Sequence, residues 1–308
     1  MPESFLKFID PIELDRIADL ELIARTVVLG MSSGVHRSLH TGVSVEFAQY
    51  RPYVQGDDPK FVDWRLFART DRLHIKQFQE ETNLRCTVLL DCSASMEYGS
   101  EGITKFRYAQ MLAASLVMLM SGQRDTVGFA AYHHDLCLHI PARAQADQMR
   151  RILVEIDHLE PAGQTDTASA LQFLGDALSP RGMVVLISDL LHPVEEMIAH
   201  LRSLRAQRHD LMVLQISDPA EQNFPFDRSV TLVDAEEDRE QFTVPEDVRE
   251  GYLENRKRHF DAIRKACLAH EIDVEEFTCT EPLDRALHHL IHRRTLALFT
   301  SSRRRGVG

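Results

Sequence analysis

Apolar residues along the chain follow two spacings, one typical of helices and the other of strands. Between residues 11 and 27 they recur every three or four positions with charged residues between them, which predicts a helix. Strand-like apolar runs lie at 43–47, 73–78, 85–90, 126–132, 136–140, 183–188, 211–216 and 272–277. Further segments with helical spacing lie at 105–120, 145–157, 167–178, 193–206, 249–269 and 282–298. From residue 85 onward the chain therefore alternates strands with helices.

This alternation predicts a mostly parallel sheet covered by helices on both faces, the doubly wound α/β class. One pair of strands departs from the pattern, because only His133, His134 and Asp135 separate the runs at 126–132 and 136–140. A parallel connection needs roughly a dozen residues or more, so these two strands must form an antiparallel hairpin. We expect one antiparallel strand at an edge of the sheet.

Composition narrows the classes of function. Of the 308 residues, 44% are hydrophobic and 27% are charged, which is typical of a globular protein. The formal net charge of -12 repels a phosphate backbone, so we expect no nucleic-acid partner. No apolar stretch reaches the roughly 20 residues that span a bilayer, and the acidic, amphipathic N-terminus is unlike a signal peptide. Five cysteines, an odd number with no Cys-x-x-Cys pair, favour reduced thiols and a cytoplasmic location.

Oxygen-bearing side chains follow two of the predicted strands. Asp91 comes directly after the run at 85–90, and Asp189 directly after the run at 183–188. Ligands of open α/β sheets bind beyond the carboxyl ends of the strands, where the winding direction reverses. If these two strands are neighbours there, their carboxylates face one crevice. Ser93 and Ser95 complete an Asp-x-Ser-x-Ser run whose alternate side chains can converge with Asp91.

Thr165 adds another oxygen, because its Gly-x-Thr segment stands directly before a predicted helix at the same edge of the sheet. All donors in this set are hard oxygens, which suits Mg²⁺ or Mn²⁺ rather than a thiophilic metal. Asp-x-Ser-x-Ser alone recurs by chance, whereas its combination with the other two segments is specific. The candidate metal site comprises Asp91, Ser93, Ser95, Thr165 and Asp189. The structural alternative is that Asp91, Ser93 and Asp189 only cap a loop and a helix.

Two further functions stay open. A Mg²⁺-dependent phosphatase or phosphotransferase of the haloacid-dehalogenase type also has an Asp after its first strand, but its general acid is normally an Asp two positions later, where this chain has Ser93. Residues 106–256 contain no lysine to balance a phosphate, and the chain has neither a Gly-x-Ser-x-Gly elbow nor a phosphate-binding loop. A scaffold with a vestigial metal site is the other possibility.

We interpret the acidic run at 234–238 as a solvated turn between strands.

The candidate site resembles the metal-ion-dependent adhesion site (MIDAS) of von Willebrand factor A domains, which share this strand–helix order and the antiparallel edge strand. More narrowly, the chain resembles the domain-of-unknown-function family fifty-eight, found beside MoxR-type AAA+ ATPases in bacteria. The match is carried by residues 51–64, with Tyr53, Gly56, Asp57, Asp63 and Trp64 as its specific part, by the runs DCSASM, GQTD and LISDL, and by Ser217 to Glu221.

The resemblance implies a von Willebrand factor A-like domain at 85–300, a small, partly β N-terminal segment at 1–84, and a disordered tail at 301–308. Many relatives carry N-terminal membrane spans; this chain shows none, so we expect no direct membrane anchoring.

The resemblance also implies roles for the site residues. Ser93, Ser95 and Thr165 would touch the metal directly, with Asp91 and Asp189 acting mainly through waters. Neutral hydroxyls leave the cation short of negative charge, so a Glu or Asp of a partner can fill an open position. The expected function is a chaperone-like adaptor for assembly or maturation of other complexes, and not an enzyme. Its partner would be a MoxR-type AAA+ ATPase, a client protein, or both.

Overall fold

A computed structural model describes residues 10–34, 47–53, 62–78, 85–123, 125–145, 147–178, 181–236, 239–285 and 287–288 of the chain. The chain divides into two compact units. The larger comprises the part up to Ser33 together with the part from Leu84 onward, and the smaller lies between Gly34 and Asn83. The segment predicted at 1–84 thus consists of two parts, the first of which belongs to the larger unit.

The elements are numbered in chain order. The strands are β1 (Phe47–Pro52), β2 (His74–Phe78), β3 (Arg85–Asp91), β4 (Thr126–Tyr132), β5 (Leu136–Arg143), β6 (Met183–Ser188), β7 (Asp210–Ser217), β8 (Val230–Val233), β9 (Glu240–Thr243) and β10 (Asp273–Thr278). The helices are α1 (Pro11–Leu14), α2 (Leu20–Gly34), α3 (Trp64–Thr70), α4 (Lys105–Gly122), α5 (Gln148–Asp157), α6 (Thr167–Ala177), α7 (Val194–Ala206), α8 (Pro219–Asn223) and α9 (Pro245–Ala269). A short 3-10 helix spans Ala94–Glu97. In the described part of the chain, no helix combines the length and apolarity needed to cross a membrane.

The smaller unit contains an antiparallel pair of strands with a short helix between them in sequence. β1 and β2 pair antiparallel, with Pro52 opposite His74. Asp63 caps α3, because its side chain accepts a hydrogen bond of 3.0 Å from the backbone N–H of Leu66. The strand predicted at 73–78 is confirmed as β2. Of the strand predicted at 43–47, only the last residue is described, as the start of β1.

The larger unit has, among the described residues, a six-stranded sheet in the order β10-β7-β6-β3-β4-β5. All neighbouring strands are parallel except β4 and β5, which form the predicted antiparallel hairpin at one edge. The chain proceeds outward from β3 to β4 in one direction and from β6 to β7 in the other, so the winding reverses between β3 and β6. The predicted doubly wound, mostly parallel α/β sheet with one antiparallel edge strand is confirmed.

Both faces of this sheet are buried. Along β3, Val88 and Leu90 belong to the core on one face, and Leu89 belongs to the core on the other, as the two-residue repeat of a strand requires. Helices α1, α2, α4 and α5 contribute to the first core, and α6, α7 and α9 to the second. Burial on both faces explains why the strands have nearly continuous apolar sequences.

The helix predicted at 11–27 is in fact two helices, α1 and α2, each with an aspartate cap. Asp10 accepts a hydrogen bond from the N–H of Ile12 (2.9 Å), and Asp19 accepts one from the N–H of Leu22 (3.1 Å). The helical spacing continues across the break because both helices bury apolar residues in the same core. The helix predicted at 282–298 lies mostly outside the described residues, and the tail at 301–308 lies wholly outside them.

Candidate metal site

Asp91, the last residue of β3, is fully buried and tied to the neighbouring strand. One carboxylate oxygen accepts a hydrogen bond from the N–H of Ser93 (2.9 Å). The other accepts bonds from the hydroxyls of Ser188 (2.6 Å) and Tyr132 (3.2 Å). Ser188 is the last residue of β6, so this contact bridges the two strands between which the winding reverses.

The environment of Asp91 disfavours a negative charge. Burial first, and the nearby Asp189 carboxylate second, raise the pKa of Asp91 to about 7, while the hydrogen bonds from Ser188 and Ser93 act to lower it. The local hydrogen bonds therefore do not fully balance the buried charge. A bound cation would do so, because it favours the ionised form of both carboxylates.

The loop after β3 brings two of the predicted hydroxyls together. The Oγ atoms of Ser93 and Ser95 lie 3.0 Å apart and form a hydrogen bond. Ser93 is buried beside Asp91, whereas Ser95, in the 3-10 helix, is half-buried. The predicted convergence of alternate side chains is therefore present. Exposure therefore increases from the buried Asp91 and Ser93 to the half-buried Ser95.

A second loop, residues 159–166, is joined to the loop after β3 by two backbone hydrogen bonds. The N–H of Ala94 donates to the carbonyl of Gly163 (2.9 Å), and the N–H of Ala162 donates to the carbonyl of Cys92 (2.8 Å). Gly163 has φ 72°, a left-handed conformation that glycine adopts without steric cost. These contacts position Thr165 at the same edge of the sheet as the serine loop.

Thr165 is bound by a carboxylate of the chain itself. Its hydroxyl donates to Oε1 of Glu236 (2.6 Å), and its backbone N–H donates to Oε2 (3.3 Å). Glu236 stands in the turn between β8 and β9, so the acidic run does join two strands, as predicted. The expectation that the run is simply solvated misses this contact, because Glu236 is half-buried against Thr165. Residues 237 and 238 lie outside the described residues.

Asp189 follows β6 and is also buried, with 3% of its surface exposed. One oxygen accepts a long hydrogen bond from the N–H of Leu191 (3.4 Å), and the other accepts one from Nζ of Lys105 (2.8 Å). The lysine ammonium also donates to Oε1 of Glu221 (2.6 Å). Burial disfavours the charged form of Lys105, but the two carboxylates outweigh it and raise the pKa of the ammonium above its ordinary value. Lys105 therefore stays charged with no exposed surface.

Lys105, like Glu236, is a residue at this site that sequence reasoning missed. It is the first residue of α4, where a lysine is usually a solvated residue at a helix end. A signal was present in the segment Ser217 to Glu221, where Asp218 and Glu221 form the capping box of α8. The second carboxylate oxygen of Glu221 accepts a bond from the N–H of Asp218 (3.0 Å), which holds its side chain in place for Lys105.

The turn after β6 carries backbone strain. Leu190 is buried yet has φ 58°, a conformation that costs a residue with a side chain on the order of 1–3 kcal/mol. Its N–H donates to the Ser188 hydroxyl (3.0 Å), and its carbonyl lies 2.8 Å from Nε2 of His259 in α9. Contacts at both ends of the residue thus fix the turn that carries Asp189.

The side chains present fit a hard divalent cation. They offer only oxygen donors. Of their two buried carboxylates, Asp189 shares the Lys105 ammonium with Glu221, and Asp91 accepts hydrogen bonds only from neutral groups. In the described ranges, no group of three or more His, Cys, Asp or Glu side chains is arranged to hold a metal. A cation here would therefore depend on the hydroxyls of Ser93, Ser95 and Thr165, and the assignment of these ligands stays a prediction.

Comparison with known proteins gives a family and relatives without assigned functions. A family profile described as "Protein of unknown function DUF58" matches residues 49–262. The chain is 30% identical over 303 residues to the uncharacterized protein Rv1480 of Mycobacterium tuberculosis (strain ATCC 25618 / H37Rv), a match that covers 97% of this chain and 92% of the relative. The uncharacterized protein Mb1516 of Mycobacterium bovis (strain ATCC BAA-935 / AF2122/97) matches with the same identity and the same coverage.

Solved structures with similarity include two from Bacteroides. The conserved hypothetical protein BatB of Bacteroides thetaiotaomicron has 13% identity and a TM-score of 0.47, over 68% of this chain and 98% of that one. An aerotolerance-related membrane protein of Bacteroides fragilis has 17% identity and a TM-score of 0.48, over 68% of this chain and 99% of that one. Likeness at this level carries no information about function.

Proposed function

The chain belongs to the DUF58 family of proteins of unknown function, and on that premise we propose that it is a metal-dependent adaptor that binds other proteins. Its von Willebrand factor A type of fold often mediates protein interactions. The observation that carries the proposal is the convergence of Asp91, Ser93 and Ser95 with Asp189 where the winding of the sheet reverses. Ligand sites of open α/β sheets lie at this point.

Three hydroxyls, those of Ser93, Ser95 and Thr165, would hold Mg²⁺ or Mn²⁺, while Asp91 and Asp189 would act through waters. When bound, the cation supplies a Lewis-acidic position for a carboxylate of another protein. Neutral direct ligands support this role because they leave positive charge available to that carboxylate.

Two neighbours of the site orient the acidic residues. The Ser188 hydroxyl fixes one oxygen of Asp91, and the Lys105 ammonium fixes one oxygen of Asp189. Both carboxylates are therefore held in place before any ligand arrives, and preorganisation of this kind lowers the cost of binding.

Binding, rather than catalysis, is the function that these residues support. Ser93 stands where a phosphotransferase of the haloacid-dehalogenase type has its general acid, and a serine hydroxyl cannot fill that role near neutral pH. Lys105 is the cation nearest Asp189, but Asp189 and Glu221 already engage its ammonium, which has no exposed surface with which to meet a phosphate.

The proposed partner is a MoxR-type AAA+ ATPase, a client that such an ATPase remodels, or both. This choice rests on two points. Members of the family that the chain resembles are found beside MoxR-type AAA+ ATPases in bacteria, and a Glu or Asp side chain fits the candidate site. In this role the chain serves the assembly or maturation of other protein complexes. A scaffold with a vestigial site is the alternative that the following experiment separates from it.

The test is co-purification of the tagged chain with a MoxR-type ATPase from the same cells, in Mg²⁺ and in EDTA. We expect binding in Mg²⁺, loss of it in EDTA, and no binding by Asp91→Ala. Thr165→Ala should weaken binding roughly tenfold, or about 1.4 kcal/mol, through loss of one direct ligand. Asp176→Ala, which removes an exposed carboxylate on α6, is the matched control and should bind normally.

Circular dichroism of each variant separates loss of binding from loss of folding. If the ATPase binds equally in Mg²⁺, in EDTA and to folded Asp91→Ala, the metal site is not the interface and the proposal is wrong.

A further inference from the structure

The β8–β9 hairpin carries a carboxylate into contact with one of the candidate metal ligands. Both carboxylate oxygens of Glu236 are engaged by Thr165, one by its hydroxyl at 2.6 Å and the other by its N–H at 3.3 Å. Seventy-one residues separate the two positions, so the contact belongs to the fold and not to local sequence. The group that meets Thr165 is of the same chemical class as the side chain we propose a partner to supply.

The turn itself presents Glu236 in this position. The side chain of Asp234 accepts a hydrogen bond of 2.9 Å from the N–H of Glu236, and the N–H of Asp234 donates to the carbonyl of Arg239 at 2.8 Å. An aspartate that bonds the backbone two residues further on fixes a tight turn. Glu236 is half-buried, whereas Asp234, Ala235 and Arg239 around it are exposed. Among the described residues of this turn, the glutamate is therefore the one that packs back against the protein.

The strands of the hairpin that carries Glu236 are short and mostly exposed, with Thr243 as a buried exception. β8 and β9 have four residues each and, among the described strands, pair with one another and no other. Their side chains are largely exposed, with Phe242 at 71% and Val233 at 61%. A two-stranded hairpin of this kind is marginally stable by itself, and such elements open before the core of a protein does.

We infer that Glu236 is an internal competitor for the carboxylate-binding position of the candidate metal site. The inference rests on the function proposed above. In the closed form, Glu236 covers Thr165; in the open form, the hairpin withdraws and a Glu or Asp of a partner takes its place. A tethered carboxylate competes at an effective concentration on the order of millimolar, so a partner must bring contacts beyond its carboxylate to displace it. Selectivity for a partner with a larger matching surface follows.

The experiment uses the full chain loaded with Mn²⁺, with acetate as the probe carboxylate. Solvent-proton relaxation by bound Mn²⁺ counts the exchangeable waters on the ion, and acetate lowers the signal when it displaces one. The variant is Glu236→Gln, which keeps the size of the side chain and removes its charge. The matched control is Glu240→Gln, the same change at an exposed position of β9 in the same hairpin.

We expect Glu236→Gln to show higher relaxation per bound Mn²⁺ than the wild type, because one more water reaches the ion. Acetate should lower that signal at roughly tenfold lower concentration than in the wild type, while Glu240→Gln behaves as the wild type. Equal relaxation and equal acetate response in wild type and Glu236→Gln, with Mn²⁺ binding still lost in Asp91→Ala, would overturn the inference and leave the proposed function standing. Absence of any Mn²⁺ binding that depends on Asp91 would overturn both.

Discussion

The buried part of the candidate site contains one positive charge, the Lys105 ammonium, beside two carboxylates. This ammonium has no exposed surface and contacts one buried carboxylate, Asp189, and one that is 20% exposed, Glu221. A buried ion pair adds little net stability by itself, because desolvation offsets the attraction. Removal of one member is costly, since it leaves a buried charge without compensation. The lysine is therefore a structural requirement of the two acidic residues that surround it.

Replacement of Lys105 by Met tests this requirement. We expect Lys105→Met to lower the free energy of unfolding by about 3 kcal/mol, the lower end of the usual range because Glu221 is partly exposed. Urea unfolding followed by circular dichroism measures it, with Lys257→Met, at an exposed position of α9, as the control. A loss below about 1 kcal/mol would mean that the carboxylates find other compensation.

At this scale the sequence predicts residues that follow recognisable elements. Asp91 and Asp189 each end a continuous apolar run, and the strand order places those two runs side by side. Lys105 and Glu236 escape prediction for a common reason: each takes its role from a partner far away in the chain, 84 residues for Lys105 and Asp189, and 71 for Glu236 and Thr165. The spacing of apolar residues predicts local structure, and it carries no information about which distant residues come into contact.

Among the elements, the 159–166 loop depends most on one conformation. Gly163 has φ 72° and its carbonyl accepts the bond from Ala94 that joins the two loops of the site. A side chain at this position costs about 1 kcal/mol, because the left-handed region brings Cβ close to the backbone. The loop and the position of Thr165 thus depend on the absence of a Cβ.

Two glycine-to-alanine changes should act in opposite directions. Gly163→Ala should lower the free energy of unfolding by about 1 kcal/mol. Gly251→Ala should raise it by roughly 0.5–1 kcal/mol, because Gly251 lies inside α9, where a Cβ would meet nothing within 4 Å. Urea unfolding of both variants measures the pair, and equal shifts of the same sign would contradict this account of the loop.

Elements were predictable where one rule decided them. The β4–β5 hairpin followed from a connection too short for a parallel pair, and the buried strands from their apolar runs. The division of the predicted N-terminal helix into α1 and α2 was missed, because Asp19, the cap of α2, falls at a position that helical spacing already assigns to the polar face. Only the hydrogen bond from the N–H of Leu22 to the Asp19 side chain shows that a second helix begins there.

At the scale of the whole molecule, we expect the larger unit to draw its stability from two apolar cores rather than from the candidate metal site. Each face of the sheet has its own cluster of buried residues, with contributions from helices on that face. Small metal-dependent domains differ, because they lack such cores and unfold without their ion. The strand order that assembles the candidate site is here maintained by β3, β6 and their helices.

Removal of divalent cations should accordingly leave the fold intact. In excess EDTA we expect unchanged far-UV circular dichroism and unchanged hydrogen-exchange protection of the amides in β3 and β6. Added Mg²⁺ should stabilise only by the ordinary linkage of binding to folding, about 2.7 kcal/mol at a hundred times its dissociation constant. Loss of protection in β3 or β6 on chelation would show instead that the fold requires the ion.

The lysine inside the site has a consequence for the timing of events in the cell. Lys105 is part of the chain from synthesis onward, so one positive charge is present beside Asp189 as soon as α4 packs against the sheet. We therefore expect the chain to complete its folding before any ion arrives. Under the proposed function, loading with an ion would then be a late step that can coincide with the arrival of the partner. The supply of free divalent cation would in that case set when the adaptor engages.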